Sequence, residues 1–174
     1  MPPARETKPD QSEHLPYYGR YISLVRDGDV VSTLEAQARD TKAFLAGIGS
    51  AVSGYRYAPG KWSVKEMVGH VIDTERVFSA RALIFARGDA ARLPGFEQDD
   101  YVSTASHDAI PFPELVAELD AVRRSTVFLF QHLSEEAWLR RGIANDAEIS
   151  VRALAYIIAG HELHHLEMLR TRYL

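Results

Sequence analysis

At 174 residues, 46% of them apolar, the chain is long enough for one domain that buries roughly 70% of the surface its unfolded form would expose. Its 20 Lys and Arg stand against 24 Asp and Glu, and the net charge of −4 offers no basic field to phosphate backbones or anionic lipid, so nucleic acid and membrane surfaces are not expected partners. There is no cysteine, which excludes disulfides and a protein thiolate and restricts any metal site to His, Asp, Glu or backbone oxygen.

Residues 1–16 are polar and proline-rich and read as a flexible N-terminal arm, disordered or loosely docked, without the basic stretch and apolar run of a secretion signal. No apolar run approaches the ~20 residues needed to span a bilayer, and a cytoplasmic protein is expected. The domain proper is placed at 17–174, opening with a short irregular or helical lead-in from Tyr17 to Asp29. Ser32 and Glu35 form a capping-box pattern, after which Leu34, Ala38, Thr41, Leu45, Ile48 and Val52 recur at helical spacing, predicting a first helix near 32–53. Gln37 interrupts its apolar side.

Pro59-Gly60 marks a turn, and Ser63 with Glu66 makes a second capping box that opens a helix from about 64 to Gly88. A connection of more than 20 residues follows, longer than a corner of a bundle needs. Pro113 and Glu114 open a third helix that carries Leu115, Leu119, Val122, Thr126, Leu129 and Leu133 inward, and a SEEAW turn leads to a fourth helix after Ser150. Four amphipathic segments, few strand signals and no repeat predict an all-α, up-and-down four-helix bundle with one long crossover loop.

The chemistry concentrates in histidines. His161 and His165 are four residues apart on the fourth helix, ~6 Å between Cβ atoms on one face. Leu154, Ile157, Ile158 and Met168 share that side, so both imidazoles point inward, where an unpaired polar ring is costly. His70 lies on the apolar stripe Met67, Val71, Thr74, Val77, Phe78, Arg81 and Phe85 of the second helix, offering a third imidazole from a different element. Three neutral nitrogens from two helices leave at least one coordination position open on one divalent ion, as in catalytic rather than structural sites. Imidazoles do not distinguish zinc, nickel, iron, manganese or copper.

His164 is the ambiguous neighbour, read as supporting the ligand set from outside it or as a surface residue. Arg81 and Thr74 share the face of His70. Arg81 either orients an anionic substrate or pairs with a carboxylate, and Gln37 either bonds a ligand or metal-bound water or makes an ordinary interhelical hydrogen bond. Glu162 with His165 also reads as Glu-x-x-His, but a di-iron site needs a second copy and the chain has none. His14, His107 and His132 are expected to be solvated.

Over YAPGKWSVKEMVGHVIDTERVF and AYIIAGHELHHLEMLRTRYL the chain resembles the DinB-like, or DNA-damage-inducible, superfamily of metal-binding four-helix bundles, a likeness extending from about Tyr17 to Leu174. The resemblance implies one metal-ligating histidine on the second helix and two on the last, which falls on His70, His161 and His165, and it implies a homodimer. Relatives that include bacillithiol S-transferases and maleylpyruvate isomerases imply a low-molecular-weight thiol cosubstrate, deprotonated at the metal and attacking a small-molecule electrophile, in a stress-linked detoxification role. A non-enzymatic bundle with a structural or vestigial metal, or a hydrolase using metal-activated water, are the competing expectations.

Overall fold

The structure is a computed structural model that describes residues 2–174. In chain order its helices are α1 (Gly19–Ile22), α2 (Val30–Ala46), α3 (Ser50–Ser53), α4 (Val64–Ala86), α5 (Gln98–Ala105), α6 (Phe112–Gln131), α7 (Glu135–Leu139) and α8 (Val151–Met168). A hairpin of β1 (Arg141–Ala144) and β2 (Ala147–Ser150) precedes α8. The four long helices α2, α4, α6 and α8 form the all-α four-helix bundle that the sequence implies, and among the described residues no helix is long and apolar enough to cross a membrane.

Two apolar clusters set the directions of the helices. One holds Val30 and Leu34 of α2, Phe85 of α4, Phe130 of α6 and Leu154 of α8. The other holds Leu45, Met67, Leu115 and Leu166 from the same four helices. The chain therefore runs up α2, down α4, down α6 and up α8. The long crossover between α4 and α6 returns the chain along the bundle, so these two helices are parallel and strict up-and-down alternation gives way at that one connection. Helix α8 is buried over nearly its whole first half, and Val151, Ala153, Leu154, Ala155, Tyr156 and Ile157 have essentially no exposure.

Several local expectations are corrected. The first helix starts two residues earlier than expected because Asp29, not Ser32, accepts from the Val31 amide at 2.9 Å, and it ends at Ala46, with Ser50–Ser53 as a separate turn. Ser63 and Glu66 form the expected reciprocal box, with bonds of 3.0 and 2.8 Å. The crossover is not bare loop but contains α5 and a 3-10 turn. The hairpin was not foreseen; its Asn145-Asp146 turn places both residues at positive φ, 54° and 56°, which these two side chains tolerate better than most. Leu93 of the crossover bonds to the hairpin backbone on both sides, at 2.9 and 3.1 Å.

The N-terminal arm is docked over its described residues. Glu13, 3% exposed, accepts from the Ser150 hydroxyl at 2.7 Å and from Arg152, tying the arm to the start of α8. Burial pushes its carboxyl upward in pKa, but Arg152, the Asp10 amide and Ser150 outweigh burial and hold it below the usual carboxylate value. His14 and His107 are buried as well, whereas His132 is exposed as expected. His107 packs on Gly69, where a Cβ would come within 2.4 Å of the ring. A histidine over a glycine of another element is not visible as spacing.

Candidate metal centre

Between the two apolar clusters lies a buried polar stratum, and its first part is the histidine triad. Ser150 caps α8 by accepting from the Ala153 amide at 2.9 Å, and from that start the helix carries His161 and His165 to its inward face. Helix α4 brings His70 opposite them. All three are buried, at 2%, 6% and 7% exposure, and one nitrogen from each lies within 4.8 Å of the others. The His161 Nε2 stands 3.0 Å from His70 Nε2 and 3.1 Å from His165 Nε2.

This geometry is hard to satisfy with protons alone. A neutral imidazole nitrogen is either a donor or an acceptor, so His161 Nε2 can complete one of its two close contacts in full and leaves the other deficient. Burial drives all three rings toward their neutral forms: His70 falls to about 4, with His107 adding to the effect, and His161 and His165 fall well below the ordinary value. His165 Nδ1 is also buried without a hydrogen-bond partner. Neutral nitrogens facing one point are the ligand-ready state. Ligands about 2.1 Å from an ion stand about 3.0 Å apart at right angles and about 3.4 Å apart in a tetrahedron, so the observed 3.0 and 3.1 Å fit shared coordination.

Trp62 covers His70 at 4.8 Å between ring centroids, and the Thr74 hydroxyl stands 3.5 Å from His70 Nδ1, long for a hydrogen bond but able to orient the ring. His164 is half-buried and packs edge-on against His165 and Tyr21 outside the triad; burial and then Arg20 lower its pKa. Arg81 is held by a backbone carbonyl and two aromatic rings rather than by a carboxylate. Its guanidinium donates to the Pro94 carbonyl at 2.7 Å and lies 5.3 and 5.8 Å from the Phe78 and Phe96 ring centroids, so it holds the crossover against α4. Gln37 makes the ordinary interhelical bond, donating to the Ala159 carbonyl at 2.9 Å.

The second part of the stratum escaped sequence reasoning. Arg123 of α6, 1% exposed, grips Glu75 of α4 with two bonds of 2.8 Å, donates to Glu162 of α8, and reaches Gln37 of α2 at 3.4 Å. Thr41 also donates to Glu162. Glu162, read from sequence as half of a di-iron motif, is thus an ion-pair partner. The signal was present: Arg123 follows Leu119 by four residues, and Glu75 follows Val71 by four, both on inward stripes.

A cavity of about 380 Å³ opens onto His70 and His161. Leu15, Tyr17, Tyr18 and Tyr21 of the N-terminal segment, Thr74 and Phe78 of α4, and Phe96 through Asp99 of the crossover line it. The crossover shapes the pocket, and the N-terminal segment supplies a wall that composition and spacing do not announce.

Fold and triad together define a four-helix bundle with a three-histidine centre. Residues 33–169 match the model of the DinB superfamily, well over half of the chain, and the chain belongs to that family. A protein of Oceanobacillus iheyensis, provisionally named a metal-dependent hydrolase, is 24% identical over 111 residues. The match covers 63% of this chain and 64% of that protein's length, just short of two thirds. YfiT from Bacillus subtilis, described as a probable metal-dependent hydrolase with an unusual four-helix bundle topology, superposes with a TM-score of 0.65 at 16% identity, covering 95% of this chain and 93% of its own. A DinB-like protein of Bacillus subtilis, YjoA, gives 0.58 at 21% identity over 81% and 86%. At these identities the likeness is one of fold.

Proposed function

We propose that the chain is a metal-dependent enzyme that holds one divalent ion through His70, His161 and His165 and joins a low-molecular-weight thiol to a small electrophile in the adjoining cavity. The observation that carries this reading is the convergence of three buried, neutral imidazoles, with nitrogen separations of 3.0 and 3.1 Å, two of which, His70 and His161, line a cavity of about 380 Å³. With three neutral ligands the ion keeps its full charge, and the chemistry it supplies when bound is acidification of a thiol or water. A thiol starts from a pKa near 8.5 and needs only a small shift to ionise at neutral pH, so the site needs no strong protein base. Glu75 and Glu162, the carboxylates of the buried stratum, are held by Arg123 and Thr41. The aromatic walls exclude water and hold an apolar body, and Thr74 and Trp62 orient His70.

Hydrolysis is the second reading, favoured by the names of the Oceanobacillus relative and YfiT. Elemental analysis is the first test: near one ion per chain is expected in the wild type, lost in His70→Ala and His165→Ala while the helical content stays. Metal-loaded protein is then assayed with thiols plus aryl halide electrophiles, and separately with activated esters, against a His161→Ala control. Ester cleavage without thiol transfer would replace the leading reading by hydrolysis, and no metal even after remetallation would remove both.

A further inference from the structure

One phenol stands directly against the triad. The Tyr21 ring centroid lies 5.3 Å from that of His161 and 5.4 Å from that of His164, edge-on to both. Its placement is fixed by backbone: a Cβ on Gly160 would come within 2.0 Å of the Tyr21 carbonyl oxygen, so α1 rests on α8 only where α8 carries no side chain. Tyr21 also lines the cavity, together with Tyr17.

The protons around this phenol can be counted. Arg20 Nη2 donates to the Tyr21 hydroxyl at 2.7 Å and to the Tyr17 hydroxyl as well, and a guanidinium accepts nothing in return. The two hydroxyl oxygens are 3.4 Å apart. Both oxygens therefore take a bond from Arg20 and two O–H protons remain, and at 3.4 Å the contact between the hydroxyls is longer than the ~2.5–3.0 Å of an O–H···O bond, so it gives neither proton a full acceptor. Tyr17 is 54% exposed and has water for its proton, whereas Tyr21 is 6% exposed. The acceptor for the Tyr21 proton comes from whatever occupies the cavity.

We propose that Tyr21 is a substrate-binding residue whose hydroxyl, aligned by Arg20, donates to a carboxylate oxygen of a ligand with an apolar body. This deepens the enzyme reading above and rests on its choice of cavity. The charge of Arg20 favours an anion over a neutral acceptor, and Tyr18, Phe78 and Phe96 among the lining residues suit the apolar body. Glu97 and Asp99 also line the cavity, and since they and Arg20 are all exposed, water screens the three charges alike; Arg20 acts on the anion through its 2.7 Å bond to the buried phenol, which keeps its strength.

The test uses benzoate as probe, titrated calorimetrically into metal-free and zinc-loaded wild type, Tyr21→Phe and, as control at an exposed tyrosine outside the cavity, Tyr55→Phe, with zinc affinity measured on each. A hydrogen bond to a charged acceptor predicts that Tyr21→Phe weakens benzoate about tenfold or more in both forms. Zinc affinity and the Tyr55→Phe titration should stay near wild type. A loss smaller than about fivefold in Tyr21→Phe, or no benzoate binding to the wild type, overturns the proposal. Tyr21-dependent binding in a protein that takes up no zinc would overturn the metal reading and leave this one standing; zinc uptake with Tyr21-independent binding would do the reverse.

Discussion

Replacing Arg123 by Met leaves the Glu75 and Glu162 carboxylates, each 2% exposed, without their shared cation. Both carboxylates lie in the middle of the bundle, where water cannot replace the guanidinium without opening the helices. Burial disfavours a charged Arg123, yet Glu162 and then Glu75 hold its pKa above the usual arginine value, so the pairing outweighs desolvation. Removing one partner of a buried ion pair costs about 3–5 kcal/mol, because the remaining charge is uncompensated. Against a total stability of about 5–15 kcal/mol that is a large share, and for a chain of this length it lowers the melting temperature by about 6–20 °C. Urea unfolding of the metal-free protein measures it, with an unchanged denaturant slope as the sign that native and unfolded states are otherwise comparable. The triple variant Arg123→Met, Glu75→Gln, Glu162→Gln removes all three charges and should recover most of the loss. A single-variant loss below about 1 kcal/mol, or a triple variant no more stable than the single, would refute the view that an uncompensated buried charge is what matters.

Two further outcomes are expected. Gly160→Ala should destabilise by about 1–3 kcal/mol although alanine is the better helix former, because the Cβ meets backbone of α1 that no rotamer change can move; a melting temperature at or above wild type sinks this. The metal-free protein should lose stability as pH falls from about 6.5 toward 4: unfolded histidines protonate near 6.5, folded His70 not until about 4, and His161 and His165 lower still, so the unfolded state binds more protons throughout that window. His70 alone accounts for about 3 kcal/mol across it. Urea midpoints that do not move between pH 7 and 5 would show that the three rings are not buried neutral.

What was legible in the sequence was what periodicity carries. Helix spacing with the Ser63 and Ser150 caps gave α4, α6 and α8 to within a few residues, and the inward stripes gave His70, His161 and His165. What was not legible depends on contacts between segments distant in the chain. Arg81 shares a stripe with His70 and so looked like a site residue, but the partner it finds is the Pro94 carbonyl, which no spacing within α4 can name. His14 and His107 sit in segments that are polar on average, and average polarity says nothing about one ring settling on a glycine. Tyr21 lies before residue 33, outside the matched family region, and its place beside His161 emerges only once α1 is laid across Gly160.

The buried polar stratum explains why the site lies where it does. A bundle of four helices whose interior were apolar throughout would allow α8 to slide along its neighbours at little cost, since apolar contacts are not directional. Gln37 on Ala159, Thr41 and Arg123 on Glu162, and Glu75 on Arg123 bind all four long helices at one level, with directional bonds that a shift of one residue would break. Glu162 follows His161 directly and precedes His165 by three residues, so the bonds that fix its carboxylate also fix the height and rotation of both imidazoles. Nitrogen atoms that must meet within a few tenths of an ångström require that kind of support, and the ion-pair cluster supplies it one helical turn from where it is needed.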